Sequence, residues 1–386
     1  MESIRIEKLI PGGQALGTLS SGKKVMLWGA LPGELVLEWQ VTKDKYSYCE
    51  GIATQVTDDS QSRIKPRDEA YLSTSPWQIM DYSYELQQKQ SLLIEIIRQQ
   101  KLTDIVPSSV KTDGIDFFYR NKMEYALYYT HEDQRIYPAF RARGTHRKLP
   151  IPQSSIERPE IWQAAQKIIA DMNTRGDEAR KYQSLLLRCN QSGEVSGGLL
   201  ENGKKHPSFA NLTDTILGKE YSYSPNGFFQ INLPVYEMVL QEIQTWVKCN
   251  NVLDLYAGVG TIGLSVARDK KLTLVECDKS AYREMKRNCQ GTGARPVLAK
   301  SEEALGYIQP HQTVIVDPPR AGCLPEVIEK IKQVLPEQLI YLSCNPITQM
   351  RDISMLTTAY DIKCCTPYNF FPRTPHLENL VVLERK

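Results

Sequence analysis

Alternating apolar and polar positions mark five short strands within the first 57 residues. They lie at residues 4–6, 15–19, 25–28, 34–39 and 51–56. Glycine-containing turns separate them, including Pro11-Gly12-Gly13 and Leu31-Pro32-Gly33-Glu34. Five such strands with these turns predict a small β-barrel of the OB type over residues 1–57.

Residues 58–225 have a less regular pattern. A polar, proline-containing link leads to an amphipathic helix after Ser83, whose apolar side carries Leu86, Leu92, Leu93, Ile96 and Ile97. A strand-like stretch at residues 123–129 and a helix around residues 161–172 follow. This mixture predicts a middle α/β domain but does not specify its fold.

From Asn226 onward, strands alternate with helices, which is the signature of a parallel α/β sheet. The predicted class is therefore α/β, with a Rossmann-like, doubly wound domain at residues 226–386. A buried strand at residues 252–256 runs into a glycine-rich turn and then a helix. The glycines let the backbone approach a ligand closely, and the helix N-terminus favours polar or negative groups. The next strand ends at Glu276, which is well placed to accept hydrogen bonds from a ribose diol.

The glycine-rich turn fits two cofactors. Gly258, Gly260 and Gly263 have the GxGxxG spacing of nicotinamide dinucleotide sites, a motif that is weak by itself. The strand before the turn carries Asp254, as S-adenosylmethionine sites commonly do. The remaining motifs belong to methyl transfer and not to hydride transfer, so S-adenosylmethionine is the favoured cofactor.

The strand at residues 313–316 delivers Asp317-Pro318-Pro319-Arg320. An acid at the carboxyl end of a sheet strand lies in the ligand crevice of such folds, although a turn with an exposed acid has the same sequence. A related Asp-Pro-Pro-aromatic motif occurs in enzymes that methylate exocyclic amines. Arg320 departs from that motif, and those enzymes have no use for a cysteine on the following strand.

Cys344 ends that following strand, where Asn345-Pro346 stops an apolar run. A lone cysteine is usually a packing residue, but this one lies beside the cofactor crevice. Carbon 5 of uracil is too weak a nucleophile to attack a methyl sulfonium directly, whereas a thiolate added to carbon 6 turns the ring into an enolate. A base must then remove the carbon 5 proton, and Glu378 is the candidate, with His376 on its face of an extended segment. The sequence does not show which group stabilises the thiolate.

Composition narrows the class of protein further. The chain has 386 residues, 41% hydrophobic and 24% charged, as in an ordinary soluble protein, and its net charge of +2 favours no partner. Nine cysteines without a regular framework, and no charged-then-apolar leader, predict reduced thiols in the cytoplasm. No stretch approaches the roughly 18 apolar residues that span a membrane. Residues 134–156 contain basic but no acidic side chains, which fits either a phosphate-contacting surface or a solvated loop.

Together these motifs resemble those of the RNA uracil-C5-methyltransferase family. The motifs are Asp254-Leu255-Tyr256-Ala257-Gly258-Val259-Gly260, Asp317-Pro318-Pro319-Arg320-Ala321-Gly322, Tyr341-Leu342-Ser343-Cys344-Asn345-Pro346 and Phe371-Pro372-Arg373-Thr374-Pro375-His376-Leu377-Glu378. The N-terminal barrel is similar to the TRAM domain that many members carry. Two segments resemble the family's middle domain, Tyr119-Arg120-Asn121-Lys122-Met123-Glu124 and Phe140-Arg141-Ala142-Arg143-Gly144.

The resemblance implies a role for each of these residues. Cys344 would be the nucleophile and Glu378 the proton acceptor. The residues implied in S-adenosylmethionine binding are Gln230, Tyr256, Gly258, Gly260, Glu276 and Asp317. Asp317 has the uracil edge as an alternative partner. The candidate RNA contacts are Arg120, Lys122, Arg141, Arg143, Arg147 and Lys148.

The implied substrate is a flipped-out uridine in structured RNA, converted to 5-methyluridine by a monomeric cytoplasmic enzyme. The TRAM-like barrel favours 23S ribosomal RNA. The alternatives are a transfer RNA uridine-C5 methyltransferase, an amine-methylating enzyme, and a nonenzymatic RNA-binding protein that kept the fold.

One departure from the family concerns an iron–sulfur cluster. Many members bind one through three closely spaced cysteines after the barrel and a fourth in the middle domain. Here no cysteine lies between Cys49 and Cys189, and the corresponding positions fall at residues 71–77 and near Ser154. Because such a cluster requires four ligands, we predict no cluster and no other metal. The middle domain is then expected to be held by packing alone, through Trp77 and its apolar neighbours.

Overall fold

The computed structural model describes residues 2–386, whose strands form a closed barrel and three sheets. The strands are β1 (Ile4–Leu9), β2 (Ala15–Thr18), β3 (Lys24–Trp28), β4 (Leu35–Asp44), β5 (Tyr48–Thr57), β6 (Lys122–Thr130), β7 (Arg135–Arg141), β8 (Lys148–Pro150), β9 (Tyr182–Cys189), β10 (Val195–Glu201), β11 (Leu212–Ile216), β12 (Lys219–Tyr223), β13 (Asn251–Leu255), β14 (Lys271–Glu276), β15 (Arg295–Leu298), β16 (Thr313–Val316), β17 (Gln338–Ser343), β18 (Tyr360–Tyr368) and β19 (Glu378–Arg385). The α-helices are α1 (Tyr71–Thr74), α2 (Tyr82–Gln99), α3 (Pro159–Arg175), α4 (Leu233–Trp246), α5 (Thr261–Val266), α6 (Lys279–Asn288), α7 (Pro325–Val334) and α8 (Pro346–Ser354).

Strands β1 to β5 close into a barrel in the order β1-β2-β3-β5-β4, so the predicted barrel is confirmed. The apolar positions that alternate along each strand face inward, and Val25 and Leu27 are fully buried. The carboxylate of Glu34 fixes the predicted turn at residues 31–34. Glu34 is buried, accepts a hydrogen bond from its own turn at the amide of Leu31 (2.7 Å), and pairs with Arg63 (2.6 Å).

The middle of the chain builds a five-stranded antiparallel sheet with the order β10-β9-β6-β7-β8. Helix α3 covers one face, because its apolar residues recur every three or four positions and join the core beneath it: Ile161, Ala165, Ile169 and Met172. The helix ends at Gly176, whose positive φ of 70° closes a left-handed cap.

Hydrogen bonds tie residues 68–78 to the segment around Ser155. The buried carboxylate of Asp68 accepts bonds from the amide and hydroxyl of Ser155 (3.2 and 2.9 Å) and from the Gln78 amide (2.8 Å). Trp77 is buried beside them, and its indole N–H donates to the Gly13 carbonyl (3.0 Å). The expectation that packing alone holds this region is therefore wrong, because buried polar side chains also connect it. That the chain binds no cluster stays a prediction.

The last 136 residues, 251–386, contain a seven-stranded sheet in the order β15-β14-β13-β16-β17-β19-β18. Its first five strands are parallel, and β19 and β18 close the other edge antiparallel. Apolar cores lie on both faces, which is why every residue of β16 and β17 is buried. The predicted doubly wound, Rossmann-like domain is confirmed.

Two elements that the sequence placed in the middle domain pack on this C-terminal sheet. Helix α2 contributes Leu93, Ile96 and Ile97 to the core on one face. The hairpin of β11 and β12 contributes Leu212 and Tyr221, among others, to the core on the opposite face. Among residues 2–386, no helix has the length and hydropathy needed to cross a membrane.

Candidate active site

The predicted catalytic residues meet at one edge of the C-terminal sheet. Strands β13, β16 and β17 are parallel neighbours, so the residues that follow them, including Asp317 and Cys344, lie at the same edge. Strand β19 runs antiparallel beside β17, with Ser343 opposite Asn379. Glu378, one residue before Asn379, therefore lies next to Cys344, one residue after Ser343.

Glu378 is buried, with 4% of its surface exposed, and its Oε2 atom has no hydrogen-bond partner among the described residues. Burial raises the pKa of this carboxyl well above its usual value, and the negative charge of Asp317 raises it further, while Arg320 opposes the shift. A buried carboxyl with one free oxygen is suited to exchanging a proton with a bound substrate.

Cys344 is half-buried, and burial raises the pKa of its thiol to about 11. The charges of Glu378 and Asp317 add to the shift, whereas Arg320 favours the thiolate. The thiol is therefore protonated at neutral pH in the free enzyme, and positive charge is needed to ionise it. Arg320 is the group that could supply part of this charge, which the sequence left open.

The loop that carries Asp317 and Arg320 is docked on the start of α8. The Arg320 carbonyl accepts hydrogen bonds from the side chains of Asn345 (2.7 Å) and Thr348 (3.1 Å). Asn345 also caps α8 through the amide of Ile347 (3.3 Å), with Pro346 in the first turn. The Asn-Pro pair that ends the strand of Cys344 therefore also fixes the neighbouring Asp317 loop.

Residues 256–263, which we call the glycine loop, connect β13 to α5. Gly258 and Gly260 have positive φ angles of 57° and 88°. A Cβ at Gly260 would lie 3.1 Å from Leu264, whereas a Cβ at Gly258 would meet no atom within 4 Å. Gly260 thus occupies a tight, left-handed position that favours glycine, and Gly258 opens onto free space where a ligand can approach the backbone.

Two carboxylates hold the glycine loop in place. Glu276, at the end of β14, accepts bonds from the amides of Gly258 (2.8 Å) and Asp278 (2.6 Å). Asp254 accepts a bond from the amide of Gly263 (2.8 Å), and burial raises its pKa to about 8. Asp254, which indicated an S-adenosylmethionine site in the sequence, therefore fixes the glycine loop at its junction with α5.

Gln230, a predicted cofactor contact, is buried in the segment before α4. Its backbone carbonyl accepts a hydrogen bond from the Asn121 side chain (3.0 Å). The neighbouring Gly227 carbonyl accepts bonds from Lys122 (3.1 Å) and from the fully buried Arg188 (3.2 Å). Residues in and next to the middle sheet therefore hold the segment that contains Gln230 by hydrogen bonds.

Comparison with known proteins shows what this arrangement is similar to. A family model described as tRNA (Uracil-5-)-methyltransferase matches residues 307–386, which include Asp317, Cys344 and Glu378. An uncharacterized RNA methyltransferase of Thermotoga maritima is 24% identical over 99% of this chain and 99% of its own length. One of Enterococcus faecalis is 26% identical over 92% of this chain and 91% of its own. The C-terminal part of the chain is therefore similar to the tRNA (Uracil-5-)-methyltransferase family, and its relatives along the whole chain are named RNA methyltransferases.

A solved structure extends this likeness to the whole fold. The crystal structure of Pyrococcus abyssi tRNA (uracil-54, C5)-methyltransferase in complex with S-adenosyl-L-homocysteine matches with a TM-score of 0.78 and 22% identity, over 99% of each chain. The shared fold runs from the barrel to the last strand. The relatives along the whole chain are named RNA methyltransferases, and the protein with the shared fold binds S-adenosyl-L-homocysteine.

The six predicted RNA contacts divide into two groups. Arg141 and Arg147 are exposed, and their side chains make no hydrogen bond within the described residues. The other four have partners inside the protein. Lys148 donates to the Leu127 carbonyl (2.8 Å), Arg120 to the Lys122 carbonyl (2.9 Å), Lys122 to Gly227, and Arg143 to Leu72 while stacking 4.1 Å above Trp28.

His376 lies among positive charges near the catalytic edge. Burial lowers the pKa of its imidazole to about 4, and Arg320, Lys89, Arg143 and Arg120 lower it further. The ring is therefore neutral at physiological pH. Positive side chains from α2, from the segment before β6, from the loop after β7 and from the Asp317 loop therefore act on this ring.

Tyr236 is a buried aromatic residue, close enough to the site carboxylates to feel their charge, that the sequence did not point to. It lies on α4 with 3% of its surface exposed. Burial raises the pKa of its phenol well above the usual value, and the charges of Asp317, Asp254 and Glu378 act in the same direction. A neutral hydroxyl thus lies among the carboxylates of the site. An apolar helix position gave no sign of this, since aromatic residues on such faces usually belong to the core.

Proposed function

We propose that this enzyme methylates carbon 5 of a uridine in structured RNA through a covalent bond between Cys344 and carbon 6. The observation that carries the proposal is the pairing of β17 with β19, which sets a half-buried thiol beside a buried carboxyl with an unpaired oxygen. Methylation of an exocyclic amine needs neither group. A thiol and a base are what carbon 5 chemistry requires.

In this mechanism the Cys344 thiolate bonds to carbon 6, and the ring electrons move to make carbon 5 nucleophilic. Bound S-adenosylmethionine supplies the electrophilic methyl group. Glu378 then accepts the proton of carbon 5, the bond between sulfur and carbon 6 breaks, and the thiolate leaves as the ring double bond re-forms. Every bond made to the enzyme is broken, so Cys344 is regenerated, and the proton remains on Glu378 until it is released.

The raised pKa values of both groups fit this order of events. Cys344, with a pKa of about 11, holds its proton in the free site near neutral pH, and burial raises the pKa of Glu378 as well. A positively charged ligand favours the ionised forms of the thiol and the carboxyl. Binding of the cationic cofactor beside Arg320 would therefore activate the nucleophile and the base together.

The residues proposed to hold the cofactor fit its chemistry. The open backbone at Gly258 leaves room for a ligand, and Gly260 keeps the turn tight behind it. Glu276 is held rigidly by two amides at the end of β14, where a ribose diol could donate to it. Tyr256 begins the same loop, and Gln230 remains a proposed contact. Asp317 follows β16, between the strands that carry the glycine loop and the thiol, so it could contact either the cofactor or the uracil.

The RNA substrate has two candidates. The TRAM-like barrel favours 23S ribosomal RNA. The Pyrococcus abyssi protein, named as a tRNA methyltransferase, matches 99% of this chain, which keeps transfer RNA as the second candidate. We propose ribosomal RNA first and transfer RNA second. Mapping 5-methyluridine in purified ribosomal and transfer RNA, with and without this gene, distinguishes them, because the mark disappears from only one pool.

The covalent mechanism is tested by Cys344→Ala. Removing the nucleophile should lower methylation by about 10,000-fold or more while cofactor and RNA binding persist, because the truncation removes little binding surface. RNA with 5-fluorouridine at the target should trap the wild-type enzyme in a denaturation-resistant complex, since fluorine cannot leave as a cation. Full activity of Cys344→Ala, or a trapped complex without this thiol, would show that another residue is the nucleophile.

A further inference from the structure

Residues 369–377, which we call the base loop, lead directly into Glu378. Five elements outside the seven-stranded sheet hold this loop by hydrogen bonds, two of them through single bonds at Lys111 and Asn232. The other three are helix α2, the segment from Trp77 to Met80, and the segment from Asp116 to Tyr119. The bonds concentrate on a buried ion pair of α2, formed by Glu85 and Lys89 (2.8 Å).

All the hydrogen-bonding capacity of Lys89 is used at this place. An ammonium group has three N–H donors. In Lys89 they go to the Glu85 carboxylate, the Asn369 side-chain oxygen (2.5 Å) and the Phe371 carbonyl (3.1 Å). Lys89 has no exposed surface, so each donor is directed by the protein and none by water. Two of the three bonds end on the base loop.

Glu85 completes the connection from the other side. Its two carboxylate oxygens both accept from the backbone amide of Arg373 (3.0 Å each), and one also accepts from the Asn369 amide (3.3 Å). Glu85 is fully buried too. A buried ion pair is costly to desolvate unless further hydrogen bonds satisfy it, and here the base loop provides those bonds.

The base loop has an unusual backbone conformation at the point where it is held. Arg373 has a φ of 64°, in the left-handed region that non-glycine residues rarely adopt. Its carbonyl accepts from the Trp77 amide (3.0 Å), and its guanidinium bonds the Met80 carbonyl (2.6 Å) and Asp116. Tyr119 adds a bond to the Pro372 carbonyl (3.0 Å). Such a conformation persists only where the surroundings over-determine it.

This arrangement matters for Glu378 because no hydrogen bond to its Oε2 atom fixes the orientation of the carboxyl group. Oε2 has no partner among the described residues, so the backbone that enters β19 sets where the carboxyl points. We propose that Glu85 and Lys89 are positioning residues, which hold the base loop so that Glu378 reaches the carbon 5 proton. The inference rests on the proposed role of Glu378 and adds the ion pair of α2 as the device that places it.

The test separates the step that needs Glu378 from the steps that precede it. Lys89→Met keeps the length of the side chain and removes all three donors. Displacing a base by about 1 Å lowers its rate about 100-fold. We therefore expect turnover on natural RNA to fall about 100-fold with little change in the KM for RNA. The trapping rate on 5-fluorouridine RNA should fall far less, because trapping precedes proton removal.

The decisive readout is the fate of natural RNA. If proton removal alone is slowed, a covalent complex between the Lys89→Met enzyme and natural RNA should accumulate on a denaturing gel. Tyr119→Phe removes only the bond to Pro372, keeps the fold, and should show the same complex at lower yield. Accumulation in either variant supports the proposal.

Arg63→Met is the matched control, since it also removes the partner of a buried carboxylate, Glu34, but in the barrel. It should lower the melting temperature without accumulating a complex. If Lys89→Met and Tyr119→Phe lose trapping and turnover in equal proportion, with no complex on natural RNA, the ion pair is merely structural and the proposal is overturned. If the wild-type enzyme itself is not trapped by 5-fluorouridine RNA, the proposed covalent mechanism is wrong. The role of Glu378 and this inference, which both depend on it, are then wrong as well.

Discussion

The glycine loop and the base loop serve the same site but are held in opposite ways. The bonds that fix the glycine loop are local, since Gly263 binds Asp254 nine positions away and Gly258 binds Glu276 18 positions away. The bonds that fix the base loop reach across the chain, with Arg373 bound to Glu85 over 288 positions. The conformation of the glycine loop thus depends on neighbouring parts of the sheet, whereas that of the base loop depends on segments far away in the sequence.

This difference separates two kinds of control over catalysis. A change in the glycine loop alters the place where the backbone meets the cofactor and leaves Glu378 where it is. A change in the supports of the base loop moves the base and leaves the cofactor side intact. Damage to the first should be measured as cofactor affinity, and damage to the second as turnover.

The largest expected effect that sharpens this comparison comes from Glu378→Gln. A general base contributes about 100- to 10,000-fold, so turnover should fall by about 1,000-fold. Because the thiol and the methyl donor remain, a covalent complex with natural RNA should accumulate, and it should vanish when Cys344 is also replaced by Ala. Calorimetry should find the S-adenosylmethionine affinity unchanged. Normal turnover in this variant would mean that another group removes the proton.

A smaller effect is expected from Gly260→Ala in the glycine loop. The new Cβ would lie 3.1 Å from Leu264 and 3.2 Å from Met285, at a φ of 88°. Overpacking of this kind costs about 1 to 3 kcal/mol, and we expect the affinity for S-adenosylmethionine to fall about tenfold. No covalent complex should accumulate on natural RNA.

The matched control for this variant is Gly291→Ala, which has a similar positive φ of 72° and no atom within 4 Å of the new Cβ. It should share the backbone strain but keep its cofactor affinity. If both variants lose affinity equally, strain and not the shape of the glycine loop is responsible.

The same contrast explains what could be predicted from the sequence. Apolar runs show strands, and alternation with helices shows a parallel sheet, so the ends of β13, β16 and β17 could be placed at one edge. That placement brings Asp317 and Cys344 together from the amino-acid sequence alone. The pairing of β19 beside β17 did not follow from these patterns, and only the family resemblance pointed to Glu378 as a partner of Cys344.

The supports of the base loop could not be predicted, for a physical reason. Glu85 and Lys89 are four positions apart on a helix, which is the spacing of an ordinary exposed ion pair. Nothing local distinguishes such a pair from a buried one, because the groups that bury it arrive 280 positions later in the chain. The basic segment shows the same limit, since sequence does not separate the free Arg141 from the stacked Arg143.

The smallest expected effect concerns RNA and lies outside both loops. Arg141 and Arg147 are exposed and make no side-chain bond within the described residues, so they are free to contact phosphates. Replacing both with Ala should weaken RNA binding and reduce the slope of log affinity against log salt by roughly one to two units. Cofactor affinity and the trapping of 5-fluorouridine RNA at saturating RNA should not change.

The control is Arg98→Ala with Lys167→Ala, which removes the same charge from exposed positions on α2 and α3. If the control lowers the slope equally, net charge and not this segment governs binding, and if neither variant changes it, residues 141–147 are a solvated loop.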